Sequence, residues 1–385
     1  MKRSFSLFIA VIIAVPLLAQ YGIGHRTVSY QDPARSNRNI QSEIYYPAAS
    51  SGENVAIAVG QFPVIVYGHG FVMGVSSYEN IWTTLAPLGY ILVFPATEGG
   101  TSPSHADFGD DLAFLINKLK TEGINSASPF YNSVGATSAI MGHSMGGGAS
   151  FLACENNTVP TVMVTYAAAN TNPPSIAAAA NVSIPALVFA GSDDCVAPPS
   201  NHQLLMYNAL GSQCKTYISI NDGGHCYFAN YNLLCTLGEE SCSPGGVPLS
   251  RSEQQAVTMD FVIPYLDFFL KGNTTSWYTF VDKLDTSGQI TYQKSCNINP
   301  TTVSEPSISK VSVYYNPAVE QLVVFRSDDS LIRIEITDLT GRIVKKFMTT
   351  QPREVINIRE LRSGIYMVKT YNPDGKIYTN RFIRF

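Results

Sequence analysis

A chain of 385 residues has room for two or three domains at about 150 residues apiece. Apolar residues make up 45% of it and charged residues only 14%, against about 25% in an average soluble protein, which excludes intrinsic disorder as the main state. The net charge of −4 offers no basic footprint for a phosphate backbone and argues against nucleic acid as a partner.

In chain order, residues 1–20 read as an address. Lys2 and Arg3 precede an apolar run from Leu7 to Ala19 that closes on Leu17-Leu18-Ala19, a pattern suited to signal peptidase cleavage near Ala19 or Gln20. The run is shorter than the roughly 20 residues of a spanning helix and is broken by Pro16. The mature protein is therefore expected in an oxidising compartment, secreted or at the cell surface, with no stable membrane span.

Next come strands at Pro63–Tyr67 and Ile91–Phe94 around a helix at Tyr78–Leu88, then a helix at Ala106–Lys120. A strand at Ser138–Met141 leads into a helix from Met145. Strands at Thr161–Thr165, Ala186–Ala190 and Lys215–Ile220 follow, with a helix near His202–Leu210 and another at Glu253–Leu270. Continuous apolar strands separated by helices predict an α/β fold, a mostly parallel sheet covered by helices on both faces. The last stretch differs in kind. All the Cys and His residues lie before residue 300, and the charge balance is −9 up to residue 305 but +5 from Pro306 onward. Alternating strands such as Leu331–Ile336 and Gly364–Thr370, with turns at Thr340-Gly341 and Asp374-Gly375, predict a small antiparallel β-sandwich. The expected organisation is a catalytic domain at 21–297, a polar, Pro-containing linker at 298–307 and a sandwich at 308–385.

The chemistry centres on Gly142-His-Ser-Met-Gly146, a Gly-x-Ser-x-Gly between a predicted strand and a predicted helix. In that context it reads as a nucleophile elbow, whose strained turn needs glycine on either side of the serine. Ser144 needs a base, and the base needs an acid to fix its tautomer. Gly191-Ser-Asp-Asp194 follows one strand and Asn221-Asp-Gly-Gly-His225 follows the next, so Ser144, Asp194 and His225 stand in the order nucleophile, acid, base; Asp193 competes with Asp194. A tetrahedral intermediate also needs two oxyanion donors. Met145 supplies one amide, and Phe71, in Tyr67-Gly-His-Gly-Phe71, supplies the other. Phe71 and Tyr227 are the candidate substrate-binding side chains. His69 and His143 read as structural, and His25, His105 and His202 lack the paired spacing of metal ligands, so no metal and no cofactor is expected.

Gly142-His-Ser-Met-Gly-Gly-Gly148, the Pro185–Pro198 segment and Gly223-Gly-His225 resemble the dienelactone hydrolase, chlorophyllase and cutinase-like polyester hydrolase branch of the α/β-hydrolases. The resemblance implies an aromatic clamp on the substrate. Phe71 matches the aromatic of the oxyanion loop, while the second position, usually Trp, is replaced here by Ala169-Asn170-Thr171. A Cys-rich insertion from Cys226 to Arg251 is a further departure. Tyr315-Asn-Pro317, Asp338–Val344, Leu361–Val368 and Lys376–Phe385 resemble the C-terminal sorting domain of the type IX secretion system of Bacteroidetes, which implies the secretion machinery as a partner and removal of the tail during export.

The expected function is a secreted serine hydrolase of carboxylic esters working through an acyl-enzyme. The alternatives are a peptidase or amidase with the same triad, or a surface-binding protein on a relic hydrolase fold. With seven cysteines at least one thiol stays unpaired within the chain, and Cys154 is the candidate. Cys195 is expected to bridge to Cys214 or Cys226, tying the acid loop to the base loop, and Cys235 to close locally with Cys242.

Overall fold

The computed structural model describes residues 21–296 and 298, and in the tail 311–316, 321–326, 332–338, 341–350, 353–371 and 377–384. The expected leader and most of the expected linker lie outside these residues, as do Pro317, Thr340 and the Asp374-Gly375 turn. Contacts divide the chain into two compact units between Pro300 and Thr301.

The larger unit is built on one ten-stranded sheet. Its strands are β1 (Gly22–Asp32), β2 (Arg38–Ala48), β3 (Gly52–Glu53), β4 (Phe62–Gly68), β5 (Ile91–Pro95), β6 (Val134–His143), β7 (Val162–Tyr166), β8 (Ala186–Gly191), β9 (Cys214–Ile220) and β10 (Ile290–Cys296). They lie in the order β10-β9-β8-β7-β6-β4-β5-β2-β1-β3. From β5 to β9 all neighbours are parallel, and β2 and β10 close the two sides antiparallel. The helices are α1 (Glu79–Leu85), α2 (His105–Ile124), α3 (Met145–Cys154), α4 (Ser175–Ala179), α5 (Gln203–Ala209), α6 (Leu233–Cys242), α7 (Arg251–Lys271) and α8 (Thr274–Thr286).

Strands β4, β5, β7 and β8 are buried along their whole length, and β6 over its last six residues, because both faces are covered. Their period-2 alternation splits one apolar run between two cores. Ile65, Tyr67, Leu92 and Phe94 join residues of α1, α7 and α8, whereas Val64, Val66, Ile91 and Val93 join residues of α2, α3 and α5. The outer strands obey a different rule. Strand β10 has one buried residue, Ile290, and β1 is mostly half-exposed, so neither carries the apolar run that marks a central strand. Both were missed by the sequence pattern for that reason. The remaining unpredicted elements are β2, β3, α4, α6 and α8.

Helix ends are set by local chemistry. Ser104 caps α2 by accepting the Asp107 N–H, and Ser250 and Glu253 form a reciprocal capping box at α7, which stops at Gly272 in the left-handed region, φ 68°.

In the smaller unit, Val311–Asn316, Gln321–Arg326 and Arg353–Asn357 form one antiparallel sheet; Ile343–Thr349, Ile332–Asp338, Gly364–Tyr371 and Ile377–Arg384 form another. Leu322, Val324 and Ile356 from the first share a core with Ile334, Ile336, Tyr366 and Val368 from the second, the arrangement of a small sandwich. Among the described residues no helix is long and apolar enough to cross a membrane.

The disulfides correct the sequence expectation. Cys195 is bonded to Cys242, Cys214 to Cys296 and Cys226 to Cys235, with Cys154 buried and free. Cys195 meets neither Cys214 nor Cys226, and Cys235 does not meet Cys242. The reason is topological. Cys214 opens β9 at the very position that pairs with Cys296 of the unforeseen strand β10. Cys235 and Cys242 lie on α6, where seven residues span two turns and point both toward partners outside the helix.

Candidate active site

Strand β6 delivers the chain to Ser144, which sits at φ 54°, ψ −117° immediately before α3. A non-glycine residue rarely holds such a conformation, and it does so here because the turn is over-determined. Ser144 N–H donates to the Tyr166 carbonyl, and its own carbonyl accepts from Gly148 and Ala169. A Cβ at Gly142 or Gly146 would run into backbone, Gly146 against the carbonyls of Gly68 and His69. This close approach brings the Gly68–Phe71 loop over the first turn of α3.

The candidate base, His225, and the candidate acid, Asp194, arrive on the loops after β9 and β8. Asp193 N–H donates to the Gly223 carbonyl at 2.9 Å, so the two loops are joined directly. His225 Nδ1–H donates to Asp194 Oδ2 at 2.8 Å, and Nε2 faces Ser144 Oγ at 2.9 Å. A carboxylate accepts only, which fixes the proton on Nδ1 and leaves Nε2 to receive the serine proton. Asp194 is 3% exposed and its second oxygen accepts the Ala197 N–H at 2.7 Å. Asp193 is exposed and bonded to Ser192. Of the two neighbouring acids, Asp194 is the one that reaches His225.

Met145 is the first residue of α3, where backbone N–H groups lack intrahelical acceptors. Among the described residues, neither its amide nor that of Phe71 donates to a backbone acceptor outside the regular elements. Phe71 is 47% exposed. Tyr227 is half-buried with its ring beneath the Arg251 guanidinium, 4.4 Å from the centroid.

A second line of hydrogen bonds runs behind the first. His143 is fully buried, and burial followed by the charge of His225 pulls its imidazole down to about 3. A neutral ring has one donor. Since the His225 carbonyl can only accept, His143 Nε2–H donates to it at 2.9 Å, and Nδ1 accepts from the Tyr78 hydroxyl at 3.0 Å. The Tyr78 oxygen in turn accepts the Gly70 N–H at 2.7 Å. His143 thereby ties the loop of Phe71 to the loop of His225. Among the remaining histidines, His69 faces the carbonyls of Gly70 and Thr97, His25 contacts Glu53, His105 accepts from Asn172 N–H, and His202 accepts from Asn170 N–H. Among the described residues no three ligand-type side chains are grouped to hold a metal ion.

Sequence reasoning missed the side chains that hold the base loop. Gln254 grips Gly224 at both ends, its Oε1 accepting from the N–H at 2.9 Å and its Nε2 donating to the carbonyl at 2.8 Å. Arg251 Nη1 donates to the carbonyls of Cys226 and Ala229, and Glu239 accepts the His225 N–H at 2.5 Å. The signal for Glu239 emerges only once α6 is known to be a helix: Glu239 lies four residues after Cys235 and three before Cys242, so all three share one helical face.

The profile of the PET hydrolase-like family matches residues 20–244, and that of the secretion system C-terminal sorting domain matches residues 312–384. A sorting domain of this kind belongs to proteins that are secreted or displayed at the cell surface, and it is read by the secretion machinery. The chain is similar to a bis(hydroxyethyl) terephthalate hydrolase of Streptomyces coelicolor, 28% identical over 183 residues, which cover 47% of this chain and 54% of that protein. It is also similar to ulvan lyase NLR42 of Nonlabens ulvanivorans, 27% identical over 129 residues, 33% of this chain and 23% of that protein. The chain thus spans about half the length, or less, of these curated relatives. A match over residues 20–244 takes in the elbow and the loops after β8 and β9, and the chain belongs to the PET hydrolase-like family.

Proposed function

We propose that this protein is a secreted serine hydrolase that cleaves carboxylic esters through an acyl-enzyme. The observation that carries the reading is the unbroken donor line from Ser144 through His225 to Asp194, at 2.9 and 2.8 Å, on a strained elbow. Ser144 Oγ attacks the ester carbonyl as its proton passes to His225 Nε2, and Asp194 stabilises the imidazolium. The oxyanion lies against the amides of Met145 and Phe71. Collapse expels the alcohol, protonated by His225, and a water deprotonated by the same nitrogen then releases the acid.

The named substrate of the Streptomyces relative is an aromatic diester, and the exposed Phe71 ring offers an aromatic acyl group a stacking partner. Esters of small aromatic acids are therefore the proposed substrate class, with polyesters of such acids to be tested beside them. Ser144→Ala removes the nucleophile and almost no volume. It is expected to lower turnover of p-nitrophenyl acetate by at least about 10³-fold with an unchanged circular dichroism spectrum. More than a few per cent of residual activity would sink the assignment. A parallel assay on a peptide anilide separates ester from amide cleavage.

A further inference from the structure

Helix α6 is an unusual element. Leu233, Leu234 and Leu237 are more than half exposed, and the one fully buried residue of the helix is a carboxylate, Glu239, 3% exposed. Burying a carboxylate is costly unless donors meet it. Those donors are the backbone N–H of His225, at 2.5 Å to Oε1, and that of Cys226, at 3.4 Å to both oxygens. A Cβ at Gly224 would collide with the Glu239 carboxylate, so the chain comes as close to it as glycine permits. The helix is held there by two crosslinks, Cys195–Cys242 and Cys226–Cys235, whose outer halves directly follow Asp194 and His225 in sequence. Burial raises the carboxyl of Glu239 above its ordinary range, while the His225 N–H and the His225 charge act to lower it.

We propose that Glu239 is a positioning residue for the base: its carboxylate fixes the His225 backbone at the end of β9 and adds a second negative charge, beside Asp194, on the imidazolium formed during turnover. This deepens the reading of the Ser144 site and rests on it. A cationic intermediate is stabilised by charge held in place before it forms. The other titratable or charged groups around His225 are Asp194 from the acid loop, neutral His143 from the elbow, Arg251 from α7 and His202 from the start of α5. Arg251 opposes Glu239 electrostatically and holds the carbonyl side of the same turn, so the base loop sits between an anion on its donors and a cation on its acceptors.

The test uses the full chain and p-nitrophenyl acetate, with competent sites counted by titration with a fluorophosphonate that modifies the nucleophile. Glu239→Gln keeps shape and removes charge. Per titrated site, kcat is expected to fall about tenfold with KM within about twofold. The acid limb of kcat/KM is expected to move about half a unit to lower pH, because the imidazolium has lost a stabilising anion. Glu240→Gln removes an equal charge from the next, exposed residue and is expected to change neither quantity. If Glu239→Gln yields too few folded sites, Glu239→Asp keeps the charge and retracts it by a methylene, and is expected to lower kcat with the acid limb unmoved. An unchanged kcat per site in either Glu239 variant overturns the proposal, as does an acid limb that stays put in Glu239→Gln or moves equally in Glu240→Gln. Activity surviving Ser144→Ala would instead overturn the serine reading itself, so the two failures are told apart.

Discussion

At the residue scale, Asp194 and Asp193 are adjacent in sequence and opposite in environment. Asp194 is buried with both oxygens occupied, by His225 and by the Ala197 N–H, whereas Asp193 is exposed. Asp194→Asn would present an amide that favours the wrong imidazole tautomer, and a loss of about 10³ to 10⁴ in kcat is expected; Asp193→Asn is expected to stay within about twofold. Steady-state kinetics on both variants decides this, and the reverse order would refute Asp194 as the acid. His143 gives a stability prediction. Its ring titrates near 3 when folded but near 6.5 when unfolded, so between those values the unfolded chain binds the extra proton. Stability from this group is whole above about pH 6.5 and is lost as pH falls toward 3, at up to about 1.4 kcal/mol per pH unit. Urea unfolding from pH 7 to 4 should show a slope about one proton smaller in His143→Gln than in the parent. Equal slopes would mean that His143 is not held neutral.

At the element scale, the three disulfides divide into two kinds of work. Cys214–Cys296 joins β9 to β10 and closes a separation of 82 residues, whereas Cys226–Cys235 closes 9 and pins α6 beside the base. Chain-entropy arguments give about 4.5 kcal/mol for the long loop and about 2.6 for the short one. Cys214→Ala with Cys296→Ala is therefore expected to lower Tm more while leaving kcat near that of the parent. Cys226→Ala with Cys235→Ala is expected to lower Tm less and kcat more, because α6 loses its anchor on the base loop. Calorimetry and kinetics on the two double variants test the division; matching losses of kcat would show that α6 needs no staple to hold the base.

At the scale of the whole molecule, every proposed site residue lies between Phe71 and Gln254, and contacts divide the chain near residue 300. The sorting domain matches residues 312–384. Export is expected to release a species ending near residue 300, about 30 kDa at roughly 110 Da per residue, with full ester turnover. Mass spectrometry of secreted material that ended at Phe385 would contradict processing, and loss of activity on truncation at residue 300 would contradict the independence of the catalytic unit.

Some of this was legible in the sequence alone, for physical reasons. A strand buried on both faces is apolar at nearly every position, so β4, β5, β7 and β8 and the apolar stretches of β6 and β9 announced themselves as runs. The strained elbow demanded glycine around Ser144, and the candidates Ser144, Asp194 and His225 read in that order from the ends of β6, β8 and β9. What the sequence could not decide depends on contacts between residues far apart in the chain. Strands β1 and β10 have too few buried side chains to leave a pattern, and without β10 the partner of Cys214 could not be found. The choice between Asp193 and Asp194 turned on which side chain the loop directs inward. Glu239 looks from sequence like any solvated acid on a helix; only the tertiary fold, by closing α6 on the His225 turn, supplies the two amide donors that make its burial tolerable.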